Sequence, residues 1–402
     1  MSMMLRRAMM VPAVVPGGLP SEYLQVEYLE STGTQYIDTG YVPKLLSTDT
    51  FTIEFSVLTS NTVIVFGNNN WFSNKSHIMQ LPSINYRLRA DVSAQGTYFG
   101  YCTDGAWNTY TIENSTVSCL NSTSSYDPSY YADNPKHLYL FCQGPYETET
   151  FFVGRIRKAT YTSNGVPVFD LVPCIRISDS KPGMYDLVGR QFYVNAGTGE
   201  FLTGYIADGL VLQMDGINKG AVTGSWVDQV SGVQFDGVNS PTFGTDYVQC
   251  SSSSYLQNTS YNPPTGDEKT IEVALSDFSM STMVVFMGNA ANASTFGLYG
   301  TKGAMWSNYH DKPVVLTPNG LKTCSITEGL CYVDGAVGTF DTTDNRHYSG
   351  GNSTNFIGKR SSGSNFTGKI HAIRIYNRKL SANEMLINQR VDNTRFNLGL
   401  TI

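Results

Sequence analysis

The sequence predicts an all-β protein of two tandem antiparallel sandwiches, with one short helix near the end. Three observations lead there. Tyr, Phe and Gly are abundant (25, 20 and 38 residues) while only 15% of residues are charged, a balance that favours strands joined by tight turns. Apolar and polar residues alternate over many short runs, which puts one face of each strand in a core. A plan of motifs also occurs twice, and 402 residues suit two cores better than one.

Residues 1–20 read as an arm. They hold Arg6, Arg7, three prolines and two glycines, and lack the period of strand or helix, so they bury little apolar surface unless a partner supplies it. Pro12 and Pro16 interrupt the apolar part that a signal peptide would need, so a flexible or docking arm is the expectation, with Arg6 and Arg7 as its docking residues in the second case. The stretch from Tyr23 to Ile37 then predicts strand, turn, strand, with Ser31, Thr32 and Gly33 as turn residues.

The duplication organises the rest. FTIEFSVLTSNTVIVFGN, ending at Asn68, is echoed by KTIEVALSDFSMSTMVVFMGN, ending at Asn289, so that Glu54 and Glu272 are expected in equivalent places. FFVGRIRKATY from Phe151 is echoed by NFTGKIHAIRIYNRKLS from Asn365. Between Gly67 and Gly154 lie 87 positions of sequence offset, against 80 between Gly288 and Gly368. Sandwich 1 is assigned to residues 21–203, a Gly-rich linker to 204–209 and sandwich 2 to 210–402. In the second copy, LCYVDGAVGTF is a hairpin turning at Asp334 and Gly335. The following strand is expected to face Ile370, Ala372 and Arg374 one way and His371, Ile373 and Ile375 the other. Ser381 and Glu384 then form a capping box opening a helix with Met385, Leu386 and Val391, expected at the sandwich edge.

With these motifs in view, the second half resembles a concanavalin A-like (laminin G-like) domain. The resemblance rests on the L-C-Y-V-D-G hairpin of Leu330–Gly335 and on the strand and helix signature from Gly368 to Glu384. The first half is similar to a variant found in phage and prophage proteins of gut bacteria, through LESTGTQYIDTG and FDLVPCIRISDSKPGMYDLVGRQFYVNAGTGEF. The resemblance covers roughly residues 20 to 395 and implies two tandem jelly-roll sandwiches, with LESTGTQYIDTG closing the first beside a late strand of the same domain. The motifs are specific for the family and weak for any one function.

Several functions are disfavoured. A net charge of −6 with scattered Lys and Arg gives no basic footprint for nucleic acid, and no apolar run approaches the roughly 20 residues of a membrane span. The seven cysteines include no C-x-x-C pair and are expected as reduced thiols. Glycosidases need two carboxylates across a sugar bond, but no E-x-D-x-E run occurs and Glu27, Glu30, Glu54 and Glu272 read as structural or solvated. The five histidines are dispersed, without metal-ligand spacing. The expectation is a protein that is not an enzyme and has no cofactor. A calcium ion at the loops Gly67–Asn70 or Asn308–Asp311, which the family resemblance brings to mind, would lack a dense acidic loop.

Aromatic residues remain. Trp71, Trp107 and Trp306 lie in segments rich in Asn, Ser and Gly, and SYDPSYYADNPKHLYLF from Ser125 is expected to be a Tyr-rich loop. Trp71 with Asn69 and Asn70, and Trp306 with Asn308 and Tyr309, offer rings beside polar groups at corresponding places, the mixture a glycan site uses. The expected function is a bacteriophage virion structural protein, as a head fibre, capsid decoration or tail-associated fibre, bearing sandwiches for host or glycan adhesion. Its partners would be other virion proteins, further copies of itself (a trimer among the options) and host surface glycan. The alternative is a secreted or surface glycan-binding protein of a gut bacterium.

Overall fold

The computed structural model describes residues 18–44, 46–58, 63–67, 78–81, 87–90, 97–101, 105–119, 122–125, 135–144, 151–261, 269–278, 283–289, 296–299, 304–307, 314–315, 322–327, 330–340, 355–359 and 365–402. For several strands, notably those between 78 and 101 and between 283 and 315, only backbone pairing is described. The chain divides into two compact units, Met1–Gly204 and Tyr205–Ile402. Each is all-β, and all strand pairings are antiparallel among the described residues.

In the first unit the larger sheet runs Ser122–Ser125, Thr116–Cys119, Trp107–Glu113, Asp49–Val57, Val153–Ser163, Val166–Arg176, Lys181–Asp186, Gln191–Val194. The second sheet runs Ile37–Asp38, Tyr139–Leu140, Val63–Gly67, Ile78–Leu81, Arg87–Ala90, Thr97–Tyr101. Alternation in TIEF and NTYTI sends Phe51, Ile53, Phe55, Tyr110 and Ile112 inward, where they join Phe66, Leu140 and Phe141 of the facing sheet in one core. Phe66 meets Phe51 edge-on at 4.8 Å and Tyr110 at 5.2 Å. Part of the expected Tyr-rich loop is core, because Leu138, Tyr139, Leu140 and Phe141 are buried. Residues 126–134 lie outside the described ones.

The opening runs are not a hairpin. Tyr23–Gln25 pairs with Val166–Arg176 and Leu29–Thr32 with Val153–Ser163, while Ile37–Asp38 crosses to the other sheet to pair with Tyr139–Leu140. The bend is held by Gln35, whose Oε1 accepts the Thr32 amide at 2.8 Å and the Ser31 hydroxyl at 3.0 Å, and by Gly33 at φ +110°. LESTGTQYIDTG thus joins the sandwich beside a late strand.

In the second unit the central strands are Val248–Cys250, Gly368–Tyr376, Thr270–Ser276, Thr323–Thr327 and Leu330–Val333, with Leu210–Asp215 also on Gly368–Tyr376. The facing sheet includes Ser225–Val227, Gln234–Val238, Tyr255–Asn258 and Asn355–Ile357. Trp226 fills the core between them and donates its indole N–H to the Asp215 carbonyl at 2.9 Å. The Asp334–Gly335 hairpin turn forms as expected, with φ of +49° and +85° and Val333 opposite Ala336.

Residues 204–209 are not a free linker throughout. Tyr205 and Ile206 are buried in the second unit: the Tyr205 hydroxyl donates to Asp392 at 2.9 Å and the Ile206 amide to Asn388 at 2.9 Å. The helix, Ala382–Arg395, has the expected capping box, with the Ser381 amide donating to Glu384 at 2.7 Å. It lies across the outer face of the sheet that holds Gly368–Tyr376 rather than at an edge. Gln389 donates to the Ser325 hydroxyl at 3.1 Å and the Tyr332 carbonyl at 2.9 Å, and Asn388 to Glu272 at 2.7 Å.

Both long strands carry a bulge three residues after a glycine, at Arg157 after Gly154 and at His371 after Gly368. The expected two-face pattern of the second strand therefore breaks at His371. Ile370, Ile373 and Ile375 all join the sandwich core, while Ala372 and Arg374 lie beneath the helix region. The bulges also align the two copies. Phe55 opposes Ile156 as Leu275 opposes Ile370, and Thr52 opposes Thr160 as Glu272 opposes Arg374. Glu272 is thus the counterpart of Thr52, and Glu54 that of Ala274, two residues from the correspondence that matching letters suggest.

Candidate functional site

The structural alignment brings one set of positions forward. In the second unit the rung Ser325–Glu272–Arg374 crosses three strands on the outer face and is sealed by the helix. Arg374 and Glu272 are wholly buried, and Arg374 donates to Glu272 at 2.8 Å and to both oxygens of Asp392 at 2.7 and 2.6 Å. Its guanidinium also lies 4.0 Å from the centre of the Tyr205 ring. Burial would lower the Arg374 pKa, but Asp392 and Glu272 hold it charged. Burial drives Glu272 upward against the pull of Arg374. This is a packed ionic core with no route for a ligand.

The same rung in the first unit is Thr111–Thr52–Thr160, with the Thr52 and Thr111 hydroxyls 3.4 Å apart. The three are half-buried rather than sealed, and the next rung adds Thr50 and Thr162. Threonine falls here because alternate residues of DTFTIEFSV and WNTYTIE point outward while Phe51, Ile53, Tyr110 and Ile112 point in. On the other side lies a row of paired charges and rings. Arg157 donates to Glu54 at 2.5 Å, with 42% and 26% of those side chains exposed, and its guanidinium lies 4.5 Å from the centre of the Trp107 ring. Arg155 donates to Glu30 at 2.6 Å and lies 4.6 Å from the centre of the Tyr28 ring. The two rings are 5.9 Å apart. Lys158 stands 4.0 Å from Asp170, whose pKa is raised by burial. The face is thus hydroxyl-rich and ringed, and each of these three cations stands beside a carboxylate.

The residues singled out from sequence fare differently. Trp71, Asn69, Asn70, Asn308, Tyr309, Arg6 and Arg7 lie outside the described residues, as do the loop positions 68–70 and 308–311 considered for calcium. Trp306 lies in the Ala304–Ser307 strand opposite Gly297, so it is not a loop residue. Glu54 and Glu30 each have an arginine partner, Arg157 and Arg155. The threonine rungs went unnoticed in sequence, though alternation in TIEF and NTYTI was the available signal.

A second polar cluster sits at the His371 bulge. Nε2 of His371 is 2.7 Å from the Ser276 hydroxyl, and Nδ1 is 2.9 Å from the Asp246 backbone carbonyl and 3.6 Å from its carboxylate. The order Ser, His, Asp is that of a nucleophilic triad. Here, however, the imidazole is anchored to a carbonyl, is 5% exposed and packs 5.1 Å from the Phe396 ring. Burial lowers its pKa, so neutral His371 donates through Nδ1 and accepts the Ser276 hydroxyl, clipping the bulge to the Asp246 turn. Among the described residues no group of three or more His, Cys, Asp or Glu is placed to hold a metal. No helix among them is long and apolar enough to cross a membrane.

No protein-family model and no curated protein sequence matches the chain. Among solved structures, it is similar to domain 4 of the GH43 extracellular arabinanase AbnA from Geobacillus stearothermophilus (13% identity, 44% of this chain and 96% of that one, TM-score 0.32). It is also similar to domains LG4-5 of the mouse laminin α1 chain (11% identity, 89% of both chains, TM-score 0.30) and to the LG1-3 region of the laminin α2 chain (11% identity, 90% of this chain and 63% of that one, TM-score 0.28). At these scores the likenesses carry nothing about activity.

Proposed function

We propose that the chain is a non-enzymatic adhesion protein of a bacteriophage virion, a head fibre, capsid decoration or tail-associated fibre, whose sandwiches recognise glycan on a host surface. The observation that carries the adhesion half is the contrast between copies: the outer polar rung of the second unit is used up inside an ionic core, while that of the first faces solvent with hydroxyls, rings and charges in register. A rigid sheet supplies such groups at fixed spacing, which suits recognition of an extended surface ligand. The virion half rests on the resemblance of LESTGTQYIDTG and of the stretch from Phe169 to Phe201 to phage and prophage proteins. Immunogold labelling of phage particles with an antibody to this chain, beside binding of the purified chain to an array of bacterial polysaccharides, tests both halves. Labelled particles and a bound glycan agree with the proposal. Unlabelled particles with a bound glycan favour a secreted or surface glycan-binding protein of a gut bacterium, and an array with no bound glycan removes the adhesion role.

A further inference from the structure

We infer that the outer face of the first sandwich, from the Thr111–Thr52–Thr160 rung to the Arg157–Glu54 pair and Trp107, is the glycan site, and that its ligand is an uncharged polysaccharide. The inference rests on the adhesion reading and goes beyond it by naming the surface and the chemical class. Charge decides the class. Each described cation in this part of the face has its own carboxylate, Arg155 with Glu30, Arg157 with Glu54 and Lys158 beside Asp170, so among the described residues no unmatched cation is offered to an acidic sugar. An anionic ligand would have to displace a carboxylate already bound at 2.5 or 2.6 Å. A sugar hydroxyl both donates and accepts. It therefore matches a carboxylate acceptor beside a guanidinium donor, and threonine hydroxyls in either sense.

Geometry agrees with the charge. Trp107 is half-buried and backs the Arg157 guanidinium at 4.5 Å from its ring centre, which fixes the direction of the arginine's donors. The Thr52 and Thr111 hydroxyls, on neighbouring strands, are 3.4 Å apart, so both can meet hydroxyls of one sugar residue.

The test uses the full chain against neutral polysaccharides (glucan, mannan, galactan) and acidic ones (alginate, polygalacturonate), at low salt and in 0.5 M NaCl. The expected result is binding to a neutral polysaccharide that salt leaves unchanged. Thr111→Arg, which blocks the rung without cutting into the core, should weaken it at least tenfold at unchanged melting temperature, and Trp107→Ala should weaken it likewise. Val337→Lys on the exposed hairpin of the second unit should bind as the parent does. Neutral glycan bound equally by Thr111→Arg overturns the site while leaving the adhesion reading standing. Binding confined to acidic polysaccharides and lost in salt overturns the ligand class. No binding to any polysaccharide overturns the adhesion reading, and this inference with it.

Discussion

Arg374 and Asp392 face each other through two parallel hydrogen bonds of 2.7 and 2.6 Å, and neither side chain is reached by solvent. One residue belongs to the central strand of the second sandwich and the other to the terminal helix, so the pair ties the helix to the sheet. Removing one partner leaves the other as an uncompensated buried charge, which costs about 3–5 kcal/mol. Arg374→Ala should therefore strip amide exchange protection from residues 382–395 before the rest of the second unit unfolds. Wild-type protection in that helix would show that the pair does not anchor it.

The repeated glycines have a steric reason. A Cβ on Gly154 would stand 2.5 Å from the Ser56 carbonyl oxygen, and one on Gly368 would stand 2.7 Å from the Cα of Phe278. Gly154→Ala and Gly368→Ala should each cost about 1–3 kcal/mol in chemical denaturation, the range for forced overpacking. A neutral effect at both would mean that the neighbouring segments yield easily.

Acid should loosen the start of the helix. Burial raises the Glu384 pKa, but hydrogen bonds from Arg378 and Ser381 more than offset it and leave the carboxyl below its ordinary value. A depressed carboxylate adds stability that is fully present above the unfolded value, about 4.3, and is lost as pH falls through the folded one. Glu384→Gln should flatten the loss of stability between about pH 5 and the acid limb, relative to the parent. Parallel melting curves for the two proteins across that window would contradict the assignment.

The described cysteines, Cys119, Cys142, Cys174, Cys250, Cys324 and Cys331, are all free and buried. Burial pushes Cys142, Cys174 and Cys250 up to about 12 and Cys331 up to about 11. Because all six are buried, alkylation at pH 8 should leave them unmodified in the native chain and label them in denaturant, as read by peptide mass mapping. Rapid native labelling of any of them would place it at the surface.

Much of the fold was legible because it is local. Asp334–Gly335 is a turn by its conformational demands alone, and Ser381 with Glu384 caps a helix at fixed spacing. The bulges at Arg157 and His371 were not legible, since one unpaired residue leaves no mark in composition yet reverses the side of all that follows. Nor was the helix position: Asn388, Gln389 and Asp392 look like a solvent face, but they bond to Glu272, Ser325 and Arg374. The candidate face was half legible. Alternation separates outward Thr52 and Thr111 from inward Phe51 and Ile112, yet whether an outward face is bare or covered depends on distant chain.

The displaced correspondence between the two copies bears on any exchange of parts between them. A chimera joined at the shared letters Thr-Ile-Glu would move the incoming strand by two residues, about 6.6 Å along its axis. Inside and outside would survive that slip, but each cross-strand neighbour would be exchanged for the next one along, setting Glu54 rather than its counterpart Thr52 in the place of Glu272. Joints measured from Gly154 and Gly368 avoid this, which makes those two glycines the ruler for grafting the bare face onto the helix-covered frame.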